Sequence, residues 1–111
     1  MAVPVKQNLT ITRGDTESLV VNMTAGSTPI NIAGRSYRAQ IRETKDSGVI
    51  AASFSCSVTD AAQGQVTCSL SAGSTAVLLP QSYYWDFEED NGGVISTILA
   101  GTVTVLADVT R

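Results

Sequence analysis

The stretch SYYWDFEEDNGGVISTILAGTVTV, residues 82–105, contains the only Trp and two of the three Tyr of the chain. Asn91-Gly92 is a typical β-turn pair, so the alternating segments on either side of it predict a hairpin of two long strands. Alternation places Tyr83, Trp85 and Phe87 on one face of the first strand. The branched residues predicted to share one face of the returning strand are Ile95, Leu99, Val103 and Val105. Because these side chains form the largest apolar cluster, we expect other strands to pack on them.

The rest of the chain continues this pattern, with turn signals between alternating segments. Strands are predicted over residues 5–12, 17–23, 35–43, 49–59 and 65–70, and one short helix within residues 71–79. About seven short antiparallel strands with at most one helix describe an all-β sandwich in a single domain, residues 1–111. Residues 1–6 are predicted to form an extended N-terminal arm. The residues predicted to fill the core are Tyr37, Phe54, Tyr83, Trp85 and Phe87.

Composition excludes several classes of function. The net charge is −3 and Lys occurs only at Lys6 and Lys45, which argues against nucleic acid and anionic membrane surfaces as partners. His is absent, which removes the commonest general base and a common metal ligand. No catalytic motif is present, so we expect neither an enzyme nor a cofactor site. No apolar run is long enough for a transmembrane helix, and the first residues do not form a secretory signal.

The two cysteines, Cys56 and Cys68, are predicted to oppose each other across neighbouring strands. If residues 60–64 form the loop, Thr59 opposes Gln65 and Cys56 opposes Cys68 on the core face. A disulfide in this position would stabilise the fold by about 3 kcal/mol on the chain-entropy model. The alternative is two buried thiols in a reducing cytosol. Two Cys without His or a second pair do not fill a zinc shell, so no metal site is expected.

Acidic residues concentrate at the end of the predicted hairpin, at Asp86, Glu88, Glu89 and Asp90. Their oxygens suit a hard cation such as calcium, but their spacing does not match an EF-hand loop. The simpler interpretation is a solvated turn whose charges protect a strand edge.

The uncharged run at residues 93–107 also predicts a contact surface. Alternation places apolar and hydroxyl side chains opposite the core face, and one sheet of a small domain does not bury both faces within itself. The predicted interface residues are Ile98, Thr102, Thr104 and Leu106, together with Val3 and Val5 of the arm.

Four motifs give the chain a resemblance to small immunoglobulin-like virion proteins of tailed bacteriophages, in particular the N-terminal domain of phage baseplate upper proteins. They are Gly14-Asp15-Thr16 after the first strand, PINIAG at residues 29–34, YYWD at residues 83–86, and GTVTV at residues 101–105. The resemblance implies an immunoglobulin-like β-sandwich and a scaffold or adaptor role in the virion. Baseplate upper proteins carry long C-terminal extensions, whereas this sequence stops at Arg111, which favours a stand-alone decorating role.

We therefore expect a non-enzymatic structural virion protein, assembled in the host cytoplasm. Its partners are expected to be other virion proteins of the capsid, neck, tail or baseplate, or further copies of itself. The alternative is a module that binds host-surface glycans, because Tyr84 lies beside Asp86 on the outward face of its strand. A Tyr covered by a neighbouring subunit explains the same pattern.

Overall fold

The long hairpin predicted from residues 82–105 is the centre of the fold in a computed structural model, which describes residues 5–46 and 48–109. Strands make up most of the described chain, as the sequence predicts. In chain order they are β1 (Val5–Lys6), β2 (Leu9–Thr12), β3 (Glu17–Asn22), β4 (Thr24–Ala25), β5 (Thr28–Pro29), β6 (Ser36–Arg42), β7 (Ala52–Ser53), β8 (Ser55–Asp60), β9 (Gln65–Leu70), β10 (Ser82–Asn91) and β11 (Val94–Leu106). The helix α1 (Ala72–Ala76) lies between β9 and β10.

Two sheets face each other across one core, which confirms the predicted all-β sandwich. The first sheet has six strands in the order β1-β11-β10-β6-β7, with β2 pairing β11 beyond β1. The second has three strands in the order β3-β9-β8. The prediction that all strands are antiparallel is wrong for the start of the chain, because β1 and β2 both pair with β11 in parallel.

The central hairpin joins β10 to β11 through Gly92 and Gly93, both of which have positive φ, so the turn lies one residue beyond the predicted pair. Such φ values are accessible to glycine at no steric cost, which explains the tight connection. The alternation predicted for β10 is confirmed: Tyr83, Trp85 and Phe87 are all buried. The aromatic rings of Tyr83, Trp85 and Phe87 therefore line one side of the core.

A β-bulge in β11 overturns part of the facing predicted for that strand. Phe87 pairs with Leu99 but Glu88 pairs with Thr97, so Ile98 is the extra residue. An extra residue reverses the facing of everything on one side of it. Ile95, predicted to be in the core, consequently lies outside and is 52% exposed. Ile98, predicted to face outward, packs partly against the core.

The predicted strand over residues 5–12 is broken in two at Gln7 and Asn8. The Gln7 carbonyl accepts a hydrogen bond from Trp85 Nε1 at 2.7 Å, and Asn8 Oδ1 accepts one from the Thr102 amide at 3.1 Å. Both bonds tie the break to the central hairpin. The predicted free arm is therefore wrong for Val5 and Lys6, which pair with β11. Val3 lies outside the described residues.

The predicted strand over residues 49–59 in fact switches sheets. β7 pairs with β6 of the first sheet, and β8 pairs with β9 of the second. Phe54 lies at the corner between them and is buried. Ile50 and Val58 are exposed, although alternation along one unbroken strand over residues 49–59 would place them on the same inward face as Phe54. The chain therefore crosses from the first sheet to the second at Phe54.

Cys56 lies directly opposite Cys68, as predicted, and the two Sγ atoms are 3.1 Å apart. Both are free thiols in the structure. The hydrogen bond with Cys56, together with burial, raises the pKa of the Cys68 thiol. The predicted pairing of Thr59 with Gln65 is wrong: Asp60 pairs with Gln65, because a bulge displaces Thr59 from the ladder.

The helix lies within the segment predicted for it, residues 71–79, but covers only Ala72–Ala76. The Ser71 hydroxyl accepts a hydrogen bond from the Ser74 amide at 3.2 Å, which is an N-cap, and the helix ends well before Pro80. It is fixed to the sandwich by Thr75, whose hydroxyl donates to the Asp15 carbonyl at 2.7 Å. In the described residues, no helix has the length and apolar character needed to cross a membrane.

The core lies between the two sheets and contains four of the five residues predicted for it in fully buried positions. Phe54, Tyr83, Trp85 and Phe87 are buried. Tyr37 is only partly buried: its ring stacks on Phe87 with 5.3 Å between centroids, while its hydroxyl reaches Glu89. The buried polar residues among those described are Glu89, at this end of the core, and Thr75 of the helix.

Candidate binding groove on the six-stranded sheet

The outer face of the six-stranded sheet contains a depression of about 710 Å³, a volume within the usual range for a small-ligand site. We call it the basic groove. Its charged and polar lining residues are Lys6, Arg38, Gln40, Arg42, Thr44, Lys45, Tyr84, Asp86, Glu88 and Thr102. It is larger than a second depression of about 300 Å³ beside Tyr37 and Ile95.

Strand register assembles the basic groove in rows across the sheet. Gln40 pairs with Asp86, Asp86 with Ala100, and Ala100 with Lys6. In the next row Arg42 pairs with Tyr84, and Tyr84 with Thr102. Side chains of directly paired residues project from the same face and lie close together. Residues from three distant parts of the chain therefore meet on one surface.

The basic groove concentrates positive charge in an acidic protein. Four of the seven Lys and Arg residues of the chain line it, against two carboxylates, Asp86 and Glu88. The chain as a whole carries a net charge of −3. A concave surface of one sign raises the local concentration of ligands of the other sign. The groove is therefore suited to an anionic ligand.

Contacts within the groove partly fix its side chains. Arg38 Nε donates to Glu88 Oε1 at 2.7 Å, and Arg42 Nη2 donates to Gln40 Oε1 at 3.0 Å. Lys45 Nζ lies 5.5 Å from the centre of the Tyr84 ring, a cation–π distance. The Arg38 side chain is mostly exposed, so its ion pair adds little stability. These contacts orient the cations without removing them from solvent.

The Asp86 carboxyl is the least favourably placed charge in the groove. Desolvation by burial raises its pKa above the ordinary value, and the neighbouring Glu88 carboxylate raises it further. Arg42 and Arg38 act in the opposite direction. Asp86 lies at the centre of its row of side chains, where its carboxylate can accept a hydrogen bond from a bound ligand.

The acidic patch at the hairpin end does not act as one unit. Glu88 and Asp90 face outward, whereas Glu89 is buried and accepts a hydrogen bond from the Tyr37 hydroxyl at 2.6 Å. Arg35 Nη1 lies 3.3 Å from the same carboxylate. Asp90 Oδ1 accepts from the Gly93 amide, which caps the turn. Across residues 5–46 and 48–109, no three acidic, Cys or His side chains form a metal-binding group.

The outer face of the three-stranded sheet is the second notable surface, and it carries no charge at its centre. We call it the hydroxyl face. It is formed by Ser18 and Val20 of β3, Thr67 and Ser69 of β9, and Ser55 and Ser57 of β8. Val20 is 49% exposed at its centre. Within the described residues no strand pairs with the outer edge of β3 or of β8.

The predicted interface residues are not brought together on one surface. Thr102 lies in the basic groove, Thr104 and Leu106 are exposed beyond it beside Thr10 and Thr12, and Ile98 packs against the core. Val5 is exposed on β1. The uncharged patch that remains from this prediction consists of Thr104, Leu106 and the neighbouring threonines of β2.

Alternation along residues 35–43 places Arg38 and Arg42 on the outward face but does not connect them with Lys6 and Lys45. Lys6 reaches the groove only because β1 pairs in parallel with β11, and Lys45 only because the loop after β6 turns back towards Tyr84. Alternation within one strand carries no signal for either. The confinement of Lys to two positions was the one visible hint.

Comparisons with known proteins find similar solved structures but no matching family model or curated sequence. No protein-family model matches the chain, and no curated protein matches it. Among solved structures, it is similar to the N-terminal domain of phage TP901-1 ORF48, with a TM-score of 0.49, 15% identity, and coverage of 92% of this chain and 85% of that one. It is also similar to an extracellular fragment of novel immune-type receptor 11 from Ictalurus punctatus, with a TM-score of 0.43, 12% identity, and coverage of 98% and 90%. The assignment of the fold therefore rests on the strand order and register described above.

Proposed function

We propose that this chain is a non-enzymatic structural protein of a tailed-phage virion, and that it binds other virion proteins as a capsid decoration or as a tail, neck or baseplate adaptor. The resemblance of its four motifs to phage virion proteins supports the origin. The unguarded edges of the three-stranded sheet support the mode of action.

These edges are the observation that carries the proposal. β3 has a charged residue only at its first position, Glu17, and β8 only at its last, Asp60. Proteins that act alone in solution usually protect such edges with charges, bulges or very short strands. β8 has a bulge at Thr59, whereas β3 has none. The edge of β3, residues 18–22, is therefore the best placed to accept a strand from a neighbouring protein.

Two of the motifs behind the resemblance have clear roles in the sandwich. Gly14 has a φ of 86° in the turn between β2 and β3, and Asp15 closes this turn with a hydrogen bond from its amide to the Thr12 carbonyl. Gly101 allows Gln7 to approach β11 so closely that any Cβ there would clash. Gly14 thus serves the turn from β2 to β3, and Gly101 serves the contact between Gln7 and β11.

The patch at Thr104 and Leu106 supplies a second contact surface. Leu106 is 48% exposed, and its neighbours on β2 are uncharged. An exposed apolar side chain among threonines is suited to a partner surface, in a homo-oligomer or with a larger virion protein. This patch retains the part of the sequence-based interface prediction that lies outside the core.

The first test is the protein content of the virion. Purified particles of the phage that encodes this chain, analysed by quantitative mass spectrometry, are expected to contain it in many copies. Its absence from purified particles, while it is present in infected cells, would contradict the virion function.

The second test separates the two contact surfaces. Val20→Lys puts a charge on the open edge strand, and Leu106→Asp puts one on the threonine patch. Val94→Lys at the exposed hairpin tip is the matched control. We expect all three variants to fold, because surface changes of this kind usually shift stability by less than about 0.5 kcal/mol. Val20→Lys should be lost from particles and Val94→Lys retained. Normal incorporation of both Val20→Lys and Leu106→Asp would contradict attachment through either surface.

A further inference from the structure

We propose that the basic groove binds a saccharide chain that carries an anionic group, either a carboxylate or a phosphate. This function goes beyond a structural role in the virion, and it gives a ligand class to the residues Tyr84 and Asp86 that the sequence placed on the outward face. It rests on the position, the charge and the donor–acceptor pattern of the groove.

The position of the groove favours a ligand bound by side chains. It lies over β6, β10 and β11, whose backbone groups are already paired with strands on both sides over this region. A peptide that adds a strand needs an open edge, which the central strands do not offer. A ligand on this face therefore meets only side chains, as a saccharide does in a shallow site.

The charges of the groove favour an anionic ligand. Lys6 lies on β1 at one edge of the sheet, Lys45 Nζ lies 5.5 Å from the Tyr84 ring on β10, and Arg42 lies beyond it on β6, paired with Tyr84 in the strand register. Arg guanidinium groups bind carboxylates and phosphates through two parallel hydrogen bonds, which fixes the orientation of the ligand. The excess of cations over carboxylates leaves the groove able to attract an anion despite the acidic chain around it.

The hydrogen-bonding and aromatic side chains of the groove favour a sugar as the carrier of the anionic group. Asp86 and Gln40 face each other across neighbouring strands and present acceptors and donors for ring hydroxyls. Thr102 lies beside Tyr84 on the other side. The Tyr84 ring, 38% exposed, adds an apolar surface on which the carbon face of a sugar can rest. An inorganic anion makes no use of this apolar surface.

The direct test is a titration of the ¹⁵N-labelled protein, followed by backbone amide shifts at low ionic strength. The probes are an oligogalacturonate, a phosphodiester-linked oligosaccharide and a neutral gluco-oligosaccharide of equal length, with inorganic phosphate and an acidic glutamate peptide as further probes. At least one anionic saccharide is expected to shift the amides of Gln40, Arg42, Tyr84 and Thr102 at millimolar or lower concentration. Comparison of the first two probes tells whether the recognised group is a carboxylate or a phosphate.

Variants then assign the roles of the residues. Arg42→Gln should weaken binding of the anionic saccharide by about tenfold, the usual cost of losing one charge-assisted contact. Tyr84→Ala should weaken it by several-fold, with the chain still folded. Arg35→Gln removes the same charge outside the groove and is the matched control, expected to change affinity less than about twofold. Melting curves of all three variants verify that they fold.

Each other outcome counts against the proposal. Equal binding of the neutral saccharide would exclude recognition of the charge. Equal binding of inorganic phosphate would mean an adventitious ion only. Tighter binding of the glutamate peptide at the same amides would make the groove a protein-docking site. Absence of shifts with every saccharide, or equal loss of affinity in Arg42→Gln and Arg35→Gln, would overturn the assignment.

Discussion

The two sheets of the sandwich differ in the length of their edge strands and in the side chains on their outer faces. The six-stranded sheet ends in short strands, β1 and β7 of two residues each and β2 of four, and the groove on its outer face is lined with charged side chains. The three-stranded sheet ends in strands of six residues on both sides, and the centre of its outer face carries only Ser, Thr and Val. The first sheet is therefore built to meet solvent and ionic ligands. The second has the open edges and the uncharged face through which we propose that a partner attaches.

This contrast predicts where the stability of the molecule resides. Trp85 on β10 is 3% exposed, packs on Phe54 and donates to Gln7. Trp85→Ala should therefore cost about 3–5 kcal/mol, a large part of the stability of a small domain. Thr67→Ala at the centre of the hydroxyl face should change it by less than about 0.5 kcal/mol. Urea denaturation followed by circular dichroism measures both. Similar losses in the two variants would break the comparison.

A second variant tests the edge of the six-stranded sheet. A Cβ at position 101 would collide with the Gln7 carbonyl, which is backbone held by Trp85 and does not move aside cheaply. Gly101→Ala should destabilise the protein by about 1–3 kcal/mol and loosen β1. Hydrogen exchange is expected to speed up at the Gln7 and Thr102 amides but not in β3 and β9. Gly48→Ala, at an exposed position with open space around it and no positive φ, is the control. Unchanged exchange at Gln7 would show that this approach is not close in solution.

A third prediction concerns alkaline pH and the polar end of the core. Burial and the hydrogen bond to Glu89 raise the pKa of Tyr37 above its usual value. The unfolded chain then loses this proton first, so stability is full below about pH 10 and falls as the pH rises beyond it. Tyr37→Phe should be less stable at neutral pH, by about 1–3 kcal/mol, since Glu89 loses a partner. The difference between the two proteins should shrink above pH 10. A constant difference at alkaline pH would contradict the raised pKa.

The smallest expected effect is that of Asp86→Asn in the basic groove. Because the pKa of Asp86 is raised, its charged form opposes folding at neutral pH. The variant should gain up to about 1 kcal/mol at neutral pH, and the gain should vanish below about pH 4, where both states bind the proton. Saccharide affinity should fall at the same time. A variant less stable at neutral pH would mean that Arg38 and Arg42 outweigh desolvation.

The parts of this fold that the sequence predicts are those decided by local alternation. Tyr83, Trp85 and Phe87 alternate without interruption, and Ser71 supplies a helix cap, so the hairpin, its core face and the helix follow from neighbouring residues. The opposition of Cys56 and Cys68 also survives, because the loop is one residue shorter than predicted and this offsets the extra residue at Thr59.

The parts that fail are those decided by one extra residue or by a distant partner. The bulge at Ile98 turns Ile95 outward, yet nothing in the composition of that segment marks which residue is extra. The switch at Phe54 and the groove position of Lys6 depend on pairing with strands far away in sequence. The free energy of the whole sheet decides which strands pair and which residue is extra. About ten neighbouring residues of sequence do not contain that information.

The parallel pairing of the first strands with the last has a consequence for the order of folding. Val5 pairs with Leu99 and Leu9 with Val103, so these contacts span almost the whole described chain. During synthesis, residues 5–12 have no strand to pair with until β11 leaves the ribosome, although β3, β8 and β9 can already associate. Contacts between residues so far apart make folding slow. Residues 5–12 are thus made before β11 and wait for it, and for that interval β2, which carries no charge, is open to capture by a chaperone or by a neighbouring chain.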